Sequence, residues 1–435
     1  MFDTTRRALS ALTPKLSQTI SRIGFPGRTP LSDGPAMAFD ATPPLAPSLA
    51  RAVPEDLLDI PVCDHSPEDE AAQAARARGL FLARQDRWDE LAAELRAADT
   101  ARSLTPGGTP LADHLAYGAR SDVVLAVEEA LADGRASGDR ALLDGVMALE
   151  AVRQEHRADP YVNLVLAQAH IDIGWAWRGT AEAEALPRLN RHRCAAHFDR
   201  AAHLLAPFDA AALDSPAIAA AQCALLAGRH GRAPQIADAY AALVDLDPRN
   251  FRVLRTLGLH LLPRRDGSYA ELELEARRSA ARTEGTWGAG GYTWVCFDAI
   301  AQDPGACAQV DTDFFIDGLR DILAARPDQA MINLLAAYCA VTLRNGAGAT
   351  AGPRARITDC AGWLIRDHLT ELHPLIWAHA AEGFDNNARV GSARRFAARG
   401  RADGLRAIAE QFRDDLDRGL RITFTPDGPI VAGGA

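Results

Sequence analysis

The sequence contains almost no lysine: Lys15 is the only one, and every other basic residue is arginine. This usage is typical of a GC-rich bacterial genome and indicates no particular function. With 47 basic and 57 acidic residues, the formal net charge is −10. Because phosphate binding requires a basic surface, this balance argues against a nucleic-acid partner.

The chain also has no run of about 18 or more apolar residues, so we expect no transmembrane helix. Basic residues interrupt the apolar residues of the N-terminus, and we therefore expect no signal peptide. The cysteines never form a Cys-x-x-Cys pair, which favours buried, reduced thiols in a cytoplasmic protein. They are Cys63, Cys194, Cys223, Cys296, Cys307, Cys339 and Cys360.

Runs of β-branched residues are nearly absent before the C-terminus, whereas alanine is abundant. Alanine is the best helix former and permits close packing between helices, so we predict an all-α fold. The exception is the C-terminus, where apolar residues alternate around Pro426-Asp427-Gly428. That alternation predicts a short β-hairpin.

Residues 217–250 carry the most informative pattern. Apolar residues recur there every three or four positions, at Ile236, Tyr240, Leu243 and Leu246. Pro248 then ends the helix, and small residues fill the preceding one, at Ala219, Ala220, Ala221 and Ala224. The pattern resembles the tetratricopeptide (TPR) repeat, a helical hairpin of about 34 residues. The resemblance implies an α-solenoid of stacked helical hairpins.

Weaker copies of this pattern occur elsewhere in the chain. One unit is fitted by Gly79, Trp88, Leu91, Leu95 and Ala98. Prolines also end helical runs, at Pro160, Pro207, Pro248 and Pro327, but their intervals exceed one TPR unit. An irregular all-α bundle is therefore the alternative to the TPR-like solenoid.

We divide the chain into four segments: an amphipathic helix (1–23), a proline-rich linker (24–67), the TPR-like domain (68–419), and the hairpin with its tail (420–435). Because proline forbids helix continuation, the linker is expected to be disordered or to lie over the helical array. Within the TPR-like domain, we expect a hairpin at 111–132 and two helices at 388–399 and 402–419.

The N-terminal segment has an apolar stripe at helical spacing, formed by Leu9, Leu12, Leu16, Ile20 and Ile23. A helix this short cannot bury the stripe by itself, so it must dock elsewhere. We favour docking on a protein surface, because the stripe lacks the bulky aromatic residues that anchor interfacial helices. The alternative is a peripheral membrane adaptor tethered by residues 1–23.

One short segment suggests metal chemistry. The run from His170 to Trp175 resembles the His-x-Asp metal motif of family 38 α-mannosidases, which implies zinc bound by His170 and Asp172. The run also has helical periodicity, and residues two positions apart on a helix lie about 200° apart around its axis. We therefore expect no bound metal or cofactor, and a metal-dependent enzyme ranks third among the hypotheses.

Two other patterns have simple structural interpretations. The histidines of two triplets are spaced by five and six residues, which scatters them around a helix: His192, His197 and His203, then His368, His373 and His379. The glycine-rich run 285–294 lacks the ending of a phosphate loop, and we interpret it as a tight turn between helices. The alternative places Trp287, Tyr292 and Trp294 in a ligand-binding groove.

The leading hypothesis is a non-enzymatic scaffold that binds a peptide or helix of another protein in a solenoid groove. In TPR proteins the first helix of each hairpin lines that groove. The corresponding candidates here are Asn163, Gln168, Gln222, Arg229, Arg252, Arg255, Asn333 and Tyr338. Nothing in the sequence identifies the partner.

Overall fold

The computed structural model describes eight ranges of the chain: 57–63, 67–134, 140–179, 186–228, 233–265, 267–344, 352–382 and 392–433. Within these ranges the protein is mostly helical, with a small sheet at its C-terminus, as predicted. The N-terminal stripe, residues 24–56 of the predicted linker and Arg229 lie outside the described residues. None of the described helices is long and apolar enough to cross a membrane.

The helices are numbered in chain order as α1 (Pro67–Arg84), α2 (Trp88–Thr100), α3 (Leu111–Ala132), α4 (Arg140–Glu155), α5 (Pro160–Arg178), α6 (Arg188–Leu205), α7 (Pro216–Gly228), α8 (Ala233–Leu246), α9 (Phe251–His260), α10 (Tyr269–Arg282), α11 (Glu284–Trp287), α12 (Gly290–Gln302), α13 (Pro304–Gln309), α14 (Thr312–Ala325), α15 (Gln329–Ala337), α16 (Gly352–Asp359), α17 (Ala361–Trp363), α18 (Pro374–Glu382), α19 (Ala393–Gln411) and α20 (Arg413–Asp417). A short 3₁₀ helix spans Pro263–Arg265, and π-helical turns span Tyr338–Thr342 and Leu364–His368.

Aspartate residues fix the start of several helices. At α5, the Asp159 carboxylate accepts hydrogen bonds from the backbone N–H groups of Tyr161 (2.8 Å) and Val162 (3.0 Å). Asp303 caps α13 in the same way. Because these N–H groups have no partner within their own helix, each cap stabilises its helix by about 1 kcal/mol.

Two of the predicted helix boundaries are wrong, and glycine explains both. Residues 111–132 form the single helix α3, and one long helix, α19, replaces most of the predicted pair 388–399 and 402–419. A Cβ atom at Gly118 would lie 2.0 Å from the carbonyl oxygen of Arg76. At Gly400 it would lie 1.9 Å from that of Pro374. These glycines permit helices to cross closely and do not form turns.

Most helices pack against near neighbours in the chain. The most extensive pairs are α1 with α3, α5 with α6, α9 with α12, and α18 with α19. One hydrophobic core continues through the described helices, and Trp294, Trp377 and Tyr240 are among its largest fully buried side chains. Contacts between near neighbours therefore dominate the helix packing, and the loop and strand contacts described below join more distant segments.

A three-stranded sheet lies at the C-terminal end of this core. The predicted hairpin is present as antiparallel strands β2 (Leu420–Thr425) and β3 (Gly428–Gly433). A third strand, β1 (Leu58–Asp59), pairs in parallel with β2, and the backbone N–H of Ile422 donates to the carbonyl oxygen of Leu57 at 2.8 Å. Leu58 and Asp59, within the predicted linker, thus belong to the sheet, and its last residue, Pro67, begins α1.

Candidate functional site: an acidic recess

The loop 101–110, between α2 and α3, connects distant parts of the chain. Arg102 adopts a left-handed backbone conformation (φ 49°) just after α2 ends. Its guanidinium donates to the carbonyl oxygens of Leu246 (3.2 Å) and Asp214 (3.1 Å) and pairs with the Asp214 carboxylate. Arg249 donates back to the carbonyl oxygen of Arg102 at 3.2 Å. These bonds hold the end of α2 beside the starts of α7 and α9.

Asp99, in the last turn of α2, is buried and fully hydrogen-bonded. Its carboxylate accepts hydrogen bonds from the hydroxyl of Tyr161 (3.0 Å), the backbone N–H of Ala217 (3.0 Å) and the hydroxyl of Ser215. Asp99 therefore caps the start of α7 from a different helix. Burial raises the pKa of Asp99, although these hydrogen bonds and the charge of Arg102 oppose the rise.

A recess opens next to Asp99, between α2, α3, α7 and the start of α9. It is lined by Asp113 of α3, Asp247 after α8 and Asn250 before α9, as well as by Asp99 and Arg102. Its empty space is about 340 Å³ including the open mouth, and it has room for a water-sized group. We call this site the acidic recess.

Asn250 has an amide oxygen with no hydrogen-bond partner among the described residues. The residue is only 7% exposed and occupies the position before α9 where asparagine commonly caps a helix, but its side chain makes no capping bond. Leaving a buried acceptor unpaired costs about 1–3 kcal/mol. The amide oxygen is therefore a buried acceptor without a partner in a residue that lines the recess.

The carboxylates beside Asn250 also lack full compensation. Burial raises the pKa of Asp113 to about 6, although the charges of Arg252 and Arg120 oppose this. Burial likewise raises the pKa of Asp247, which accepts one backbone hydrogen bond from Arg249 (3.3 Å). An additional positive charge in the recess would stabilise both carboxylates in their ionised form.

Three of the predicted groove residues are wrong, because they are buried structural side chains. Asn163, 1% exposed, donates to three backbone carbonyl groups that precede or begin α5. Asn333 accepts a hydrogen bond from the indole of Trp377 at 2.8 Å. Tyr338 donates to the carbonyl oxygen of Phe297 at 2.6 Å. Helix position alone does not reveal that a polar side chain bonds internally.

The other predicted groove residues lie half-buried between helices. Their bonds form the pairs Gln168–Arg120 (3.0 Å), Gln222–Phe208 (2.9 Å) and Arg255–Asp298 (2.8 Å). Arg252 donates to the hydroxyl of Thr109 at 3.3 Å and is an electrostatic neighbour of Asp113. Of these predicted residues, the structure brings Arg252 next to the acidic recess.

His170 and Asp172 both lie on α5 but contact different neighbours. The Asp172 carboxylate accepts a hydrogen bond from Nε of Arg120 at 2.7 Å. His170 contacts His197 between their Nδ1 atoms (2.8 Å) and Glu150 through Nε2 (3.2 Å). The two side chains therefore do not converge on one metal position as the mannosidase-like motif implies.

The three aromatic residues of the glycine-rich run are core residues. Trp287 is 3% exposed, and Tyr292 and Trp294 are fully buried. The indole of Trp287 donates to the carbonyl oxygen of Pro248 at 2.7 Å, and Trp294 stacks on Phe251. The ligand-groove alternative is therefore wrong, because Trp287 and Trp294 pack against Phe251 of α9 and Tyr292 packs against Phe314 of α14.

Comparisons of this chain with protein-family models, with curated proteins and with solved structures found no match.

Sequence reasoning missed the acidic recess. Asp247 and Asn250 stand on either side of the helix break at Pro248, where polar residues are common for local reasons alone. Asp99 and Asp113 are far from them in sequence and join them only through the loop 101–110. A polar pair at a helix start was the one signal that could have indicated the site.

Proposed function

We propose that this protein is a non-enzymatic, TPR-like scaffold that binds a partner protein by taking a lysine ammonium group into the acidic recess. The unpaired amide oxygen of Asn250, buried beside the carboxylates of Asp99, Asp113 and Asp247, carries the proposal. An ammonium group has three donors and no acceptor, so it matches an excess of acceptors. Hydrogen bonds from a charged donor are also about twice as strong as neutral ones.

The size of the recess favours lysine over arginine. The recess has room for a group the size of water, such as an ammonium. A guanidinium is a larger planar fork and requires a wider site. The wider mouth of the recess has room for the methylene chain that carries the ammonium.

Two further observations support a binding scaffold. Helices that pack against near neighbours in the chain fit a solenoid, in which each unit contacts the next. Burial raises the pKa of the Cys223 thiol to about 12 and raises that of Cys339 well above its usual value. Such thiols stay protonated and are poor nucleophiles at neutral pH, and they suit a reducing cytoplasm.

The test is calorimetric titration of the full-length protein at pH 7.5 with N-acetyl-lysine amide. We expect roughly millimolar affinity, because a single ammonium makes few contacts. N-acetyl-arginine amide should bind more weakly, and N-acetyl-norleucine amide, which lacks the charge, should not bind. A Lys15→Gln variant measured in parallel shows whether the only lysine of the chain competes for the site.

Two variants on α3 locate the binding. Asp113→Asn removes one charge from the recess and should weaken lysine binding about tenfold or more. Asp122→Asn is the matched control, since Asp122 lies on the same helix but is exposed and pairs with Arg84. The proposal would be refuted if N-acetyl-norleucine amide bound as tightly as N-acetyl-lysine amide. It would also be refuted if Asp113→Asn bound N-acetyl-lysine amide as tightly as the wild-type protein does.

A further inference from the structure

A second group of polar side chains lies where residues 57–63 meet the segment 371–373, which precedes α18. Val62 forms a parallel bridge with Leu372. The backbone N–H of Cys63 donates to the carbonyl oxygen of Leu372, and the N–H of Leu372 donates to that of Pro61, both at 2.8 Å. The backbone at Cys63 is therefore fixed beside residues 371–373.

This pairing places three metal-binding residue types together. Along an extended segment, successive side chains point to opposite faces, so the neighbours of Leu372 share the face opposite to it. Leu372 is fully buried, whereas Glu371 and His373 lie on its other side with Cys63. The thiol of Cys63, the carboxylate of Glu371 and an imidazole nitrogen of His373 all lie within 4.8 Å of one another.

We infer that Cys63, Glu371 and His373 form a Zn²⁺ site. Zinc binds thiolate, imidazole and carboxylate ligands in tetrahedral geometry, at about 2.0–2.3 Å from each ligand atom. The three ligating atoms need only small side-chain rotations to reach such distances. Three protein ligands leave the fourth position of the tetrahedron to water, and the Cys63 thiol releases its proton on binding.

The surroundings suit a site that a metal can enter. The side chain of His373 is 13% exposed and that of Glu371 is 38% exposed, and Cys63 is half-buried. Nε2 of His373 already lies 2.9 Å from the Glu371 carboxylate, which orients the ring. Because Cys63 precedes α1 and Glu371 precedes α18, zinc would tie together two segments that are far apart in the sequence.

Cobalt provides the most direct test, because a Co²⁺–thiolate bond gives a charge-transfer band in the near ultraviolet. Full-length protein is stripped with a chelator and titrated with Co²⁺, then with Zn²⁺, which should displace the cobalt. We expect one equivalent of Co²⁺, a thiolate band and an increase in thermal stability on zinc binding. Wild-type protein that shows no such band overturns the inference without recourse to any variant.

Variants then assign the ligands. Cys63→Ser should abolish the thiolate band, and His373→Gln should weaken metal binding by about 100-fold or more. Glu371→Gln should keep the band but weaken affinity. Cys194→Ser and His203→Gln are matched controls outside the cluster and should behave as wild type. A band that persists in Cys63→Ser, with circular dichroism unchanged, assigns the metal elsewhere and overturns the inference.

Discussion

The carboxylate of Glu150 and the carboxylates of the acidic recess differ in how fully hydrogen bonds and opposite charges compensate them. Glu150, on α4, accepts two hydrogen bonds from Arg200 and contacts His170. The bond with His170, followed by those from Arg200, lowers the pKa of Glu150 to about 2. In the acidic recess the balance is reversed, and burial raises the pKa of Asp113 to about 6.

The difference separates a structural role from a binding role. The Glu150 cluster has as many donors as its carboxylate needs, so ionisation of Glu150 stabilises the fold. In the acidic recess, the carboxylates of Asp113 and Asp247 are not fully compensated by the fold, and the amide oxygen of Asn250 is not paired. A buried group of this kind reduces stability unless a ligand supplies what is missing.

The largest effect on stability is expected from removing the carboxylate that Arg200 and His170 share. Glu150→Ala should lower the free energy of unfolding by about 2–3 kcal/mol at pH 7, because it leaves Arg200 and His170 without their shared acceptor. Since the folded-state pKa of Glu150 lies below its ordinary value of 4.5, the stabilisation is complete above pH 4.5. It is lost as the pH falls towards 2. Urea denaturation at several pH values measures this.

The control for this prediction is Glu155→Ala, at the exposed end of the same helix. It should change stability by less than about 0.5 kcal/mol. Equal effects of the two variants would contradict the special role of the Glu150 cluster.

The next largest effect concerns lysine binding in the acidic recess. Because the pKa of Asp113 is about 6, its carboxylate loses its charge as the pH falls through 6. We expect the affinity for N-acetyl-lysine amide to fall by up to about tenfold for each pH unit below that value. Titrations at pH 7.5, 6 and 5 measure this. In Asp113→Asn the pH dependence should be much reduced, and an equally steep dependence there would assign it to another group.

The contrast also explains what the sequence could and could not predict. Helical periodicity and alanine content depend on neighbouring residues, and they predicted the helical fold correctly. The alternation around Pro426-Asp427-Gly428 is equally local, and it predicted the C-terminal hairpin correctly. The TPR-like arrangement stays a prediction, and the membrane alternative depends on residues 1–23, outside the described part of the chain.

The candidate sites were not predictable in the same way, because they depend on residues that only the fold brings together. Asn163 and Asn250 both stand at the start of a helix, yet one is fully bonded and the other has an unpaired oxygen. Cys63 and His373 are far apart in the sequence, and only the backbone bridge between Val62 and Leu372 places them together. The pattern of neighbouring residues in the sequence reveals neither the unpaired oxygen of Asn250 nor the proximity of Cys63 and His373.

A smaller effect is expected from removing the charge of Asp113. Its raised pKa means that wild-type stability decreases as the pH rises from 3.8 to about 6, since ionisation is unfavourable in the folded state. Asp113→Asn should therefore raise the melting temperature at pH 7.5 by about 2–4 °C, allowing for its partial exposure. Differential scanning calorimetry measures the shift. Below pH 4 the difference should largely vanish, and a destabilised variant at pH 7.5 would contradict the prediction.

The smallest effect on stability is expected at Asn250. Asn250→Leu keeps a similar volume and removes an amide oxygen that has no bond to lose, so the free energy of unfolding should change by less than about 1 kcal/mol. Asn163→Leu is the matched control, because that side chain donates to three carbonyl groups, and it should cost at least about 2 kcal/mol more.

The effects of the same two variants on lysine binding should be in the opposite order to their effects on stability. Asn250→Leu removes an acceptor from the acidic recess and should weaken the binding of N-acetyl-lysine amide by about 1 kcal/mol, roughly fivefold. Asn163→Leu, if folded at the measuring temperature, should bind as wild type does, since Asn163 does not line the recess. Loss of stability in Asn250→Leu without loss of binding would mean that its amide serves the fold, and the acidic recess would then lose its functional interpretation.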